Sequence, residues 1–256
     1  MHFSYPIKNL FLPALFGATA FVHSAACASE AMTNMASGHG QTSISILGGD
    51  GYKNPYSGEE ESFNTLTFEH FSSWSAGDNY FFFDVAKFND NETDPYGEWL
   101  PRLNVGKLLG KSLSWGPVKN VFISGEMDFG AGYRSHYLGA GVDLAIPRAH
   151  YFNVNFLWGD RMDRLGETRQ LNVSWSFEFH AGKLPVFLNG YLDYVMPDGD
   201  AESHLQTQPQ LLVDISHLWG GHNKVLTGIE YQYWKNKNGM DGVNESLPQW
   251  IVMWNL

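Results

Sequence analysis

Thiols are almost absent from this chain: Cys27 is the one cysteine in 256 residues. A single thiol cannot close an intrachain disulfide, so stability must come from hydrogen bonds and packing. Charge is scarce as well, at 17% of residues, whereas 18 Phe, 12 Tyr and 9 Trp bring the aromatics to 15%. So many rings need either a large core or a membrane. The charge present is lopsided, with 27 acidic against 16 basic residues and a net charge of −11. That balance excludes the basic footprint of a nucleic-acid binder, and no nucleic-acid partner is expected. Long apolar runs are missing too. Apart from Leu10 to Val22, a run of 13 residues, nothing approaches the ~18 apolar residues that mark a spanning helix. A helical membrane protein is excluded; a stranded one is not.

The early run has its own explanation. Lys8 precedes it, and Ala26-Cys27-Ala28 follows as an Ala-x-Ala cleavage site. A charged start, a short apolar centre and small residues at the end describe a secretory signal peptide over residues 1–28. The competing lipoprotein reading is weaker, because Ser24 stands where a Leu is usual before the Cys. Cleavage after Ala28 removes both Lys8 and Cys27, which takes the net charge from −11 to −12 and leaves no thiol. Residues 29–40 are then a short periplasmic segment, and 41–256 one domain.

What the chain has in abundance is alternation. From Gln170 to Phe179 it is apolar and polar by turns without an error. Successive strand side chains point to opposite faces, so Leu171, Val173, Trp175, Phe177 and Phe179 share one face and Gln170, Asn172, Ser174, Ser176 and Glu178 the other. A soluble strand averages ~5–6 residues. This one is near the ~9–11 that cross a bilayer on a slant. Similar segments recur near 41–48, 62–73, 80–88, 99–109, 118–129, 136–147, 151–158, 169–180, 185–195, 205–217, 224–234 and 247–256. The links between them alternate in character. Those following the odd-numbered strands read as longer and acidic, as in Glu59-Glu60-Glu61 and Asp90-Asn91-Glu92-Thr93-Asp94, and the others as short turns. The pattern predicts an all-β fold, a transmembrane antiparallel β-barrel of about twelve strands with both termini in the periplasm.

Faces follow from the same alternation. Leu66, Phe68, Phe81, Phe83, Leu103, Val105, Val121, Ile123, Leu138, Val142, Leu144, Val154, Phe156, Leu211, Val213, Ile229 and Tyr231 should face lipid. The polar alternates must then line the lumen, since a charge on lipid at the midplane is costly. The lumenal candidates for contact with a solute are Phe82, Asp84, Arg102, Phe122, Glu126, Asp143, Asn155, Asn172, Glu178, Tyr191, Asp193, Gln210, Asp214 and Glu230. Rings at Phe82, Phe122, Phe187 and Tyr191 fall on the polar side, where they either fill a narrow lumen or stack a base.

The stretch Trp99-Leu-Pro-Arg-Leu-Asn-Val-Gly-Lys-Leu-Leu-Gly-Lys-Ser-Leu-Ser-Trp-Gly-Pro-Val118 resembles the Tsx-like nucleoside-specific outer-membrane channels, in which a strand runs into a Gly-Lys-x-Leu-Ser-aromatic-Gly-Pro turn. Leu138-Gly-Ala-Gly-Val-Asp-Leu-Ala-Ile-Pro147, Pro209-Gln-Leu-Leu-Val-Asp214 and Gly228-Ile-Glu-Tyr-Gln-Tyr-Trp-Lys-Asn-Lys237 are similar to further blocks of that family. The resemblance spans roughly residues 40–256 and implies a monomeric twelve-stranded barrel that passes nucleosides, with lipid and lipopolysaccharide around it. One departure is Leu256, where such chains end in Phe.

Other motifs dissolve on inspection. Gly106-Lys-Leu-Leu-Gly110-Lys111-Ser112 has three residues between its glycines where a phosphate-binding loop needs four, and reads as a turn with a basic tip. Asp90 to Asp94 starts like a calcium loop, but Pro95 and Pro101 occupy its Gly and Glu positions. The ten histidines form no metal-binding pattern, so neither metal nor cofactor is expected. Gly139 and Gly141 leave space beside Asp143 that a bulge, packing or a substrate could use. The function expected is a substrate-selective diffusion channel without enzymatic chemistry. Its competitors are a lipid-acting barrel enzyme, for which Ser135-His136 is the one adjacent pair, and a non-conducting receptor barrel.

Overall fold

The computed structural model describes residues 40–53, 59–88, 93–161 and 167–256, and in it the alternating segments close on themselves. The strands are β1 Gly40–Lys53, β2 Glu60–Trp74, β3 Gly77–Phe88, β4 Thr93–Asn104, β5 Val118–Gly130, β6 Tyr133–Leu144, β7 Ala149–Arg161, β8 Glu167–Ala181, β9 Leu184–Val195, β10 His204–Thr207, β11 Gln210–Asp214, β12 Val225–Lys235 and β13 Glu245–Asn255. From β1 to β9 each pairs antiparallel with the next, and β13 pairs with both β12 and β1, so no edge is left open. Lipid could not satisfy an open edge. β10 and β11 are two pieces of one stave, since both lie between β9 and β12. Gln208-Pro209 separates them, because proline has no N–H to give the ladder. The wall is therefore a closed barrel of twelve staves, as the sequence predicts. The expected signal peptide, residues 29–39 and Asp90-Asn91-Glu92 lie outside the described residues.

Two of the strands that stop earlier than expected do so for one physical reason. Polar side chains at their ends turn back to cap a helical turn instead of continuing the ladder. Asn104 Oδ1 accepts from Lys107 N–H at 3.0 Å and caps the one-turn helix Val105–Leu108, so Val105 is not part of the lipid wall. Asp214 does the same for the 3-10 turn Ile215–Trp219, accepting from Ser216 N–H at 3.0 Å.

The expected contrast in link length also disappears. Strands overrun their predicted ends, and the links at one rim shrink to 54–59, 89–92, 131–132, 162–166, 196–203 and 236–244. At the other rim they are 75–76, 105–117, 145–148, 182–183 and 215–224. A contrast in charge remains and is sharper. Among the described residues the first set carries Glu59, Asp198, Asp200, Glu202 and Asp241, with Lys237 as its base. The second carries Lys107, Lys111, Arg148, Lys183 and Lys224 and no Asp or Glu. The barrel thus has an acidic rim and a basic rim. β1 begins and β13 finishes at the basic one.

Burial is inverted relative to a soluble protein. Leu66, Phe68, Leu103, Ile123, Leu138, Leu211, Ile229 and Tyr231 are exposed on the outside, while Arg102, Asn104, Ser124, Glu126, Asp143, Asn155, Glu230 and Gln232 are buried within. Phe129 stacks against Phe81 and Phe83 on the outer face, at 6.1 and 6.4 Å between ring centres. The interior is not uniformly polar, however. Leu47, Phe187, Leu212, Leu226, Ile251 and Met253 form an apolar cluster inside the wall. β13 contributes Ile251 and Met253 to it, because from Trp250 to Trp254 it is apolar on both faces, with Trp250, Val252 and Trp254 pointing out.

The space beside Gly139 and Gly141 is taken by the wall itself. A Cβ at Gly139 would lie 2.0 Å from the Phe156 carbonyl oxygen, and one at Gly141 only 2.1 Å from Asn155 Oδ1 and 2.6 Å from Ser124 Oγ. Gly141→Ala should therefore push Asn155 away and break its 2.8 Å bond from Ser124 Oγ. Leaving a buried polar group unmet costs ~1–3 kcal/mol. Gly125→Ala, whose Cβ would meet ordinary contacts from 3.5 Å outward, should change stability by less than about 0.5 kcal/mol. Urea unfolding of both variants in detergent micelles checks the difference.

Candidate functional site

Near the basic rim the lumen is tied by one cation. Arg102 on β4 donates from Nε to Asp78 Oδ1 at 2.7 Å, from Nη2 to Asp78 Oδ2 at 2.9 Å and from Nη1 to Asp143 Oδ1 at 3.0 Å. Its guanidinium lies 4.2 Å from the centre of the Phe122 ring. Asn120 completes the group by donating to Asp143 Oδ2 at 3.0 Å. A fork-shaped donor matches two carboxylates in a way a lysine could not. Beside this knot lies a cavity of ≈ 200 Å³ lined by Ser73, Gly77, Asp78, Asn104, Lys107, Asn120, Phe122 and Asp143. A second, of ≈ 290 Å³, opens among Asn104, Gly106, Lys107, Gly110, Lys111 and Asn120.

Deeper in the lumen, rings and carboxylates share one wall. Phe82 is half-buried, with Tyr80 at 6.1 Å and Tyr96 at 5.9 Å between ring centres. Tyr80 donates its hydroxyl to Glu69, Tyr96 donates to Glu98 Oε1 at 2.7 Å, and Thr67 donates to Asp84 Oδ1 at 2.6 Å. Tyr191 lies on β9, directly opposite β3 in the ring of staves, and is also half-buried.

Amides hold the rest of the acids in place. Ser124 Oγ donates to Asn155, Asn155 Nδ2 to Asn172 Oδ1 at 2.9 Å, and Asn172 Nδ2 to Asp193 Oδ1 at 2.7 Å. Gln170 Nε2 donates to Glu126 Oε1 at 2.7 Å. Gln210 Nε2 donates to Glu230 Oε2 at 2.8 Å. Glu98, Glu126 and Asp128 bring carboxylate oxygens within 4.8 Å of one another, the arrangement among the described residues best suited to a metal ion.

All the lumenal candidates named from the sequence fall on the inner face, but they do not form one site. Arg102, Phe122 and Asp143 belong to the knot; Phe82 and Asp84 to the aromatic wall; Glu126, Asn155, Asn172 and Asp193 to the amide chain; Gln210 and Glu230 to a pair opposite. Glu178 sits apart, bonded to His150 Nε2 at 3.0 Å. Asp214 is 1% exposed and engaged by Ser216 and by Asn223 N–H at 2.7 Å, which makes it a structural cap. Two of the four rings singled out are covered: Phe122 lies under Arg102 and Phe187 sits in the apolar cluster. Asp78 and Glu98 went unrecognised because both lay in presumed links. Asp128 shares Glu126's face two residues on, and that spacing was readable. Ser135 and His136 point to opposite faces: Ser135 is buried and bonded to Asp128, whereas His136 is exposed on the outside.

With this geometry in view, residues 48–252 match the family described as nucleoside-specific channel-forming protein, Tsx. The outer membrane protein OmpK of Vibrio parahaemolyticus is 27% identical over 103 residues, 38% of this chain. The match spans 39% of that relative's length, well under two thirds. Among solved structures, the NanC porin superposes with a TM-score of 0.52 at 12% identity, covering 83% of this chain and 100% of that one. The KdgM porin gives 0.47 at 8% identity over 83% and 98% of the two chains. The likeness to NanC is one of fold.

Proposed function

Because this chain belongs to the family of nucleoside-specific channel-forming proteins, Tsx, we propose that its lumen carries neutral nucleosides by diffusion through weak sites in series. The protein is a barrel of the bacterial outer membrane and a channel for small solutes. The observation that carries the nucleoside reading is the half-exposed Phe82 ring set between Tyr80 and Tyr96 with Asp84, Glu69 and Glu98 beside them. A ring of this kind stacks a base for ~1–3 kcal/mol whatever its identity. The neighbouring carboxylates accept hydrogen bonds from ribose hydroxyls. Tight binding would defeat passage, so the sites must be individually weak. Arg102 and Lys237 are the two buried cations among the described residues, and both are neutralised by carboxylates. The acidic lumen therefore repels phosphorylated nucleosides.

The orientation that fits this reading puts the basic rim and both termini in the periplasm and the acidic rim outside. The barrel acts alone as a monomer, after removal of residues 1–28, and needs no cofactor. Planar-bilayer recordings test the solute site. Adenosine or thymidine should lower the current in a saturable way, and Phe82→Ala should weaken that effect about tenfold, the factor that corresponds to ~1.4 kcal/mol of lost stacking. A wild-type current indifferent to nucleosides would contradict the reading.

A further inference from the structure

The link from β4 to β5 folds back on itself. Lys111 N–H donates to the Gly106 carbonyl at 2.9 Å, and Gly110 N–H to that of Lys107 at 3.2 Å. Only glycine fits the first contact, because a Cβ at Gly106 would lie 2.7 Å from the Lys111 carbonyl oxygen. The fold brings Lys107, Lys111 and Ser112 into the lining of one cavity of ≈ 290 Å³ that includes no acid. Among the described residues neither lysine has a carboxylate partner. Asp78 and Asp143, which line the neighbouring cavity, are already held by Arg102. Two ammonium groups around one opening, without an acid, suit an anion.

Apolar side chains say which anion. Leu108, Leu109 and Trp115 on the same link are 54%, 57% and 60% exposed, an arrangement that water disfavours and lipid does not. The cavity also reaches Val121, which alternates with the inward Phe122 and so lies on the lipid side. Trp74, Trp219 and Trp254 are exposed at the same rim, a belt of the kind that sits at the level of lipid headgroups. Across the ring the 215–224 link repeats the combination, with Leu218 and Trp219 exposed and Lys224 beyond them. We propose that the 105–117 link binds a phospholipid of net negative charge, of the phosphatidylglycerol type. Its phosphate lies between Lys107 and Lys111, and its chains cover Leu108, Leu109 and Trp115. A free phosphate would use the lysines but leave those apolar side chains in water. In the orientation proposed above this rim meets the periplasmic leaflet, and the inference rests on that reading for the source of the lipid.

Native mass spectrometry of the folded full-length barrel in nonionic detergent tests the site. At equal concentration, dioleoyl phosphatidylglycerol should be retained saturably and dioleoyl phosphatidylethanolamine about tenfold more weakly, since only the first is a net anion. Lys107→Gln with Lys111→Gln should remove that preference, and Lys107→Arg with Lys111→Arg should keep it. Lys87→Gln with Lys235→Gln takes the same charge from exposed lysines toward the acidic rim and should leave the preference unchanged. Inorganic phosphate at the concentration of the lipid should not compete. Heat-dependent gel mobility verifies the fold of each variant. Equal retention of the two lipids, a preference that survives loss of both lysines, or displacement by inorganic phosphate would each overturn the site. Orientation is read separately, by treating intact cells that carry Ser112→Cys with a maleimide too large for the pore, the unsubstituted chain serving as control. No labelling is expected. Labelling would overturn the periplasmic source of the lipid, whereas the detergent measurement decides the site whichever way the barrel sits.

Discussion

Replacing Arg102 with Met should destabilise the barrel by ~3–5 kcal/mol, the loss expected when one partner of a buried ion pair is removed. The reason lies in what stays behind. Asp78 and Asp143 are 6% exposed each, and without Arg102 both would keep a buried charge facing the other. The loss should belong to the leftover acids rather than to the bridge itself. Arg102→Met combined with Asp78→Asn and Asp143→Asn should therefore recover most of it, because replacing a whole buried ion network is often close to neutral. Urea-dependent folding into lipid vesicles measures both variants. Equal instability of the single and triple variants would mean that Arg102 acts by packing on Phe122 instead.

The second large effect is expected on the outer wall. Ala140 is exposed between Leu138 and Val142 on its strand, opposite Ile123 and Phe156 on the neighbouring ones. Ala140→Arg removes almost no packing but puts a charge at the depth of the apolar belt, at a cost of ~2–4 kcal/mol. His136→Arg lies on the same face nearer the acidic rim, where Arg134 is already exposed, and should cost ~0–1 kcal/mol. Folding yields in vesicles should rank the variants in that order. Similar losses at both positions would mean that the belt is misplaced along this strand.

The wall of this protein was legible because lipid and lumen impose opposite demands on alternate residues. A period-2 pattern sustained through Gln170 to Phe179 leaves little freedom in which face is which. The staves, their order and the inward set followed from it. Their ends did not, because one capping side chain decides whether a strand continues, as Asn104 and Asp214 do. Link lengths inherited those errors, which is why the rims differ in charge and not in length. The site was legible as a face but not as a constellation. Nothing along the chain says that Arg102 reaches Asp78 across 24 positions, or that Glu98 stands opposite Asp128. Those contacts are set by register between neighbouring strands. The apolar cluster was hidden for another reason: from Trp250 to Trp254 both faces of β13 are apolar, so alternation carries no signal there.

Uptake into liposomes bearing the purified wild-type protein tests the channel reading most directly. Adenosine or thymidine should enter faster than a sugar of similar size, since the nucleosides alone can stack on Phe82. Adenosine monophosphate should enter poorly against the acidic lumen. Rates ordered by solute size alone, with the monophosphate keeping pace with adenosine, would contradict a nucleoside-selective lumen and leave a general pore.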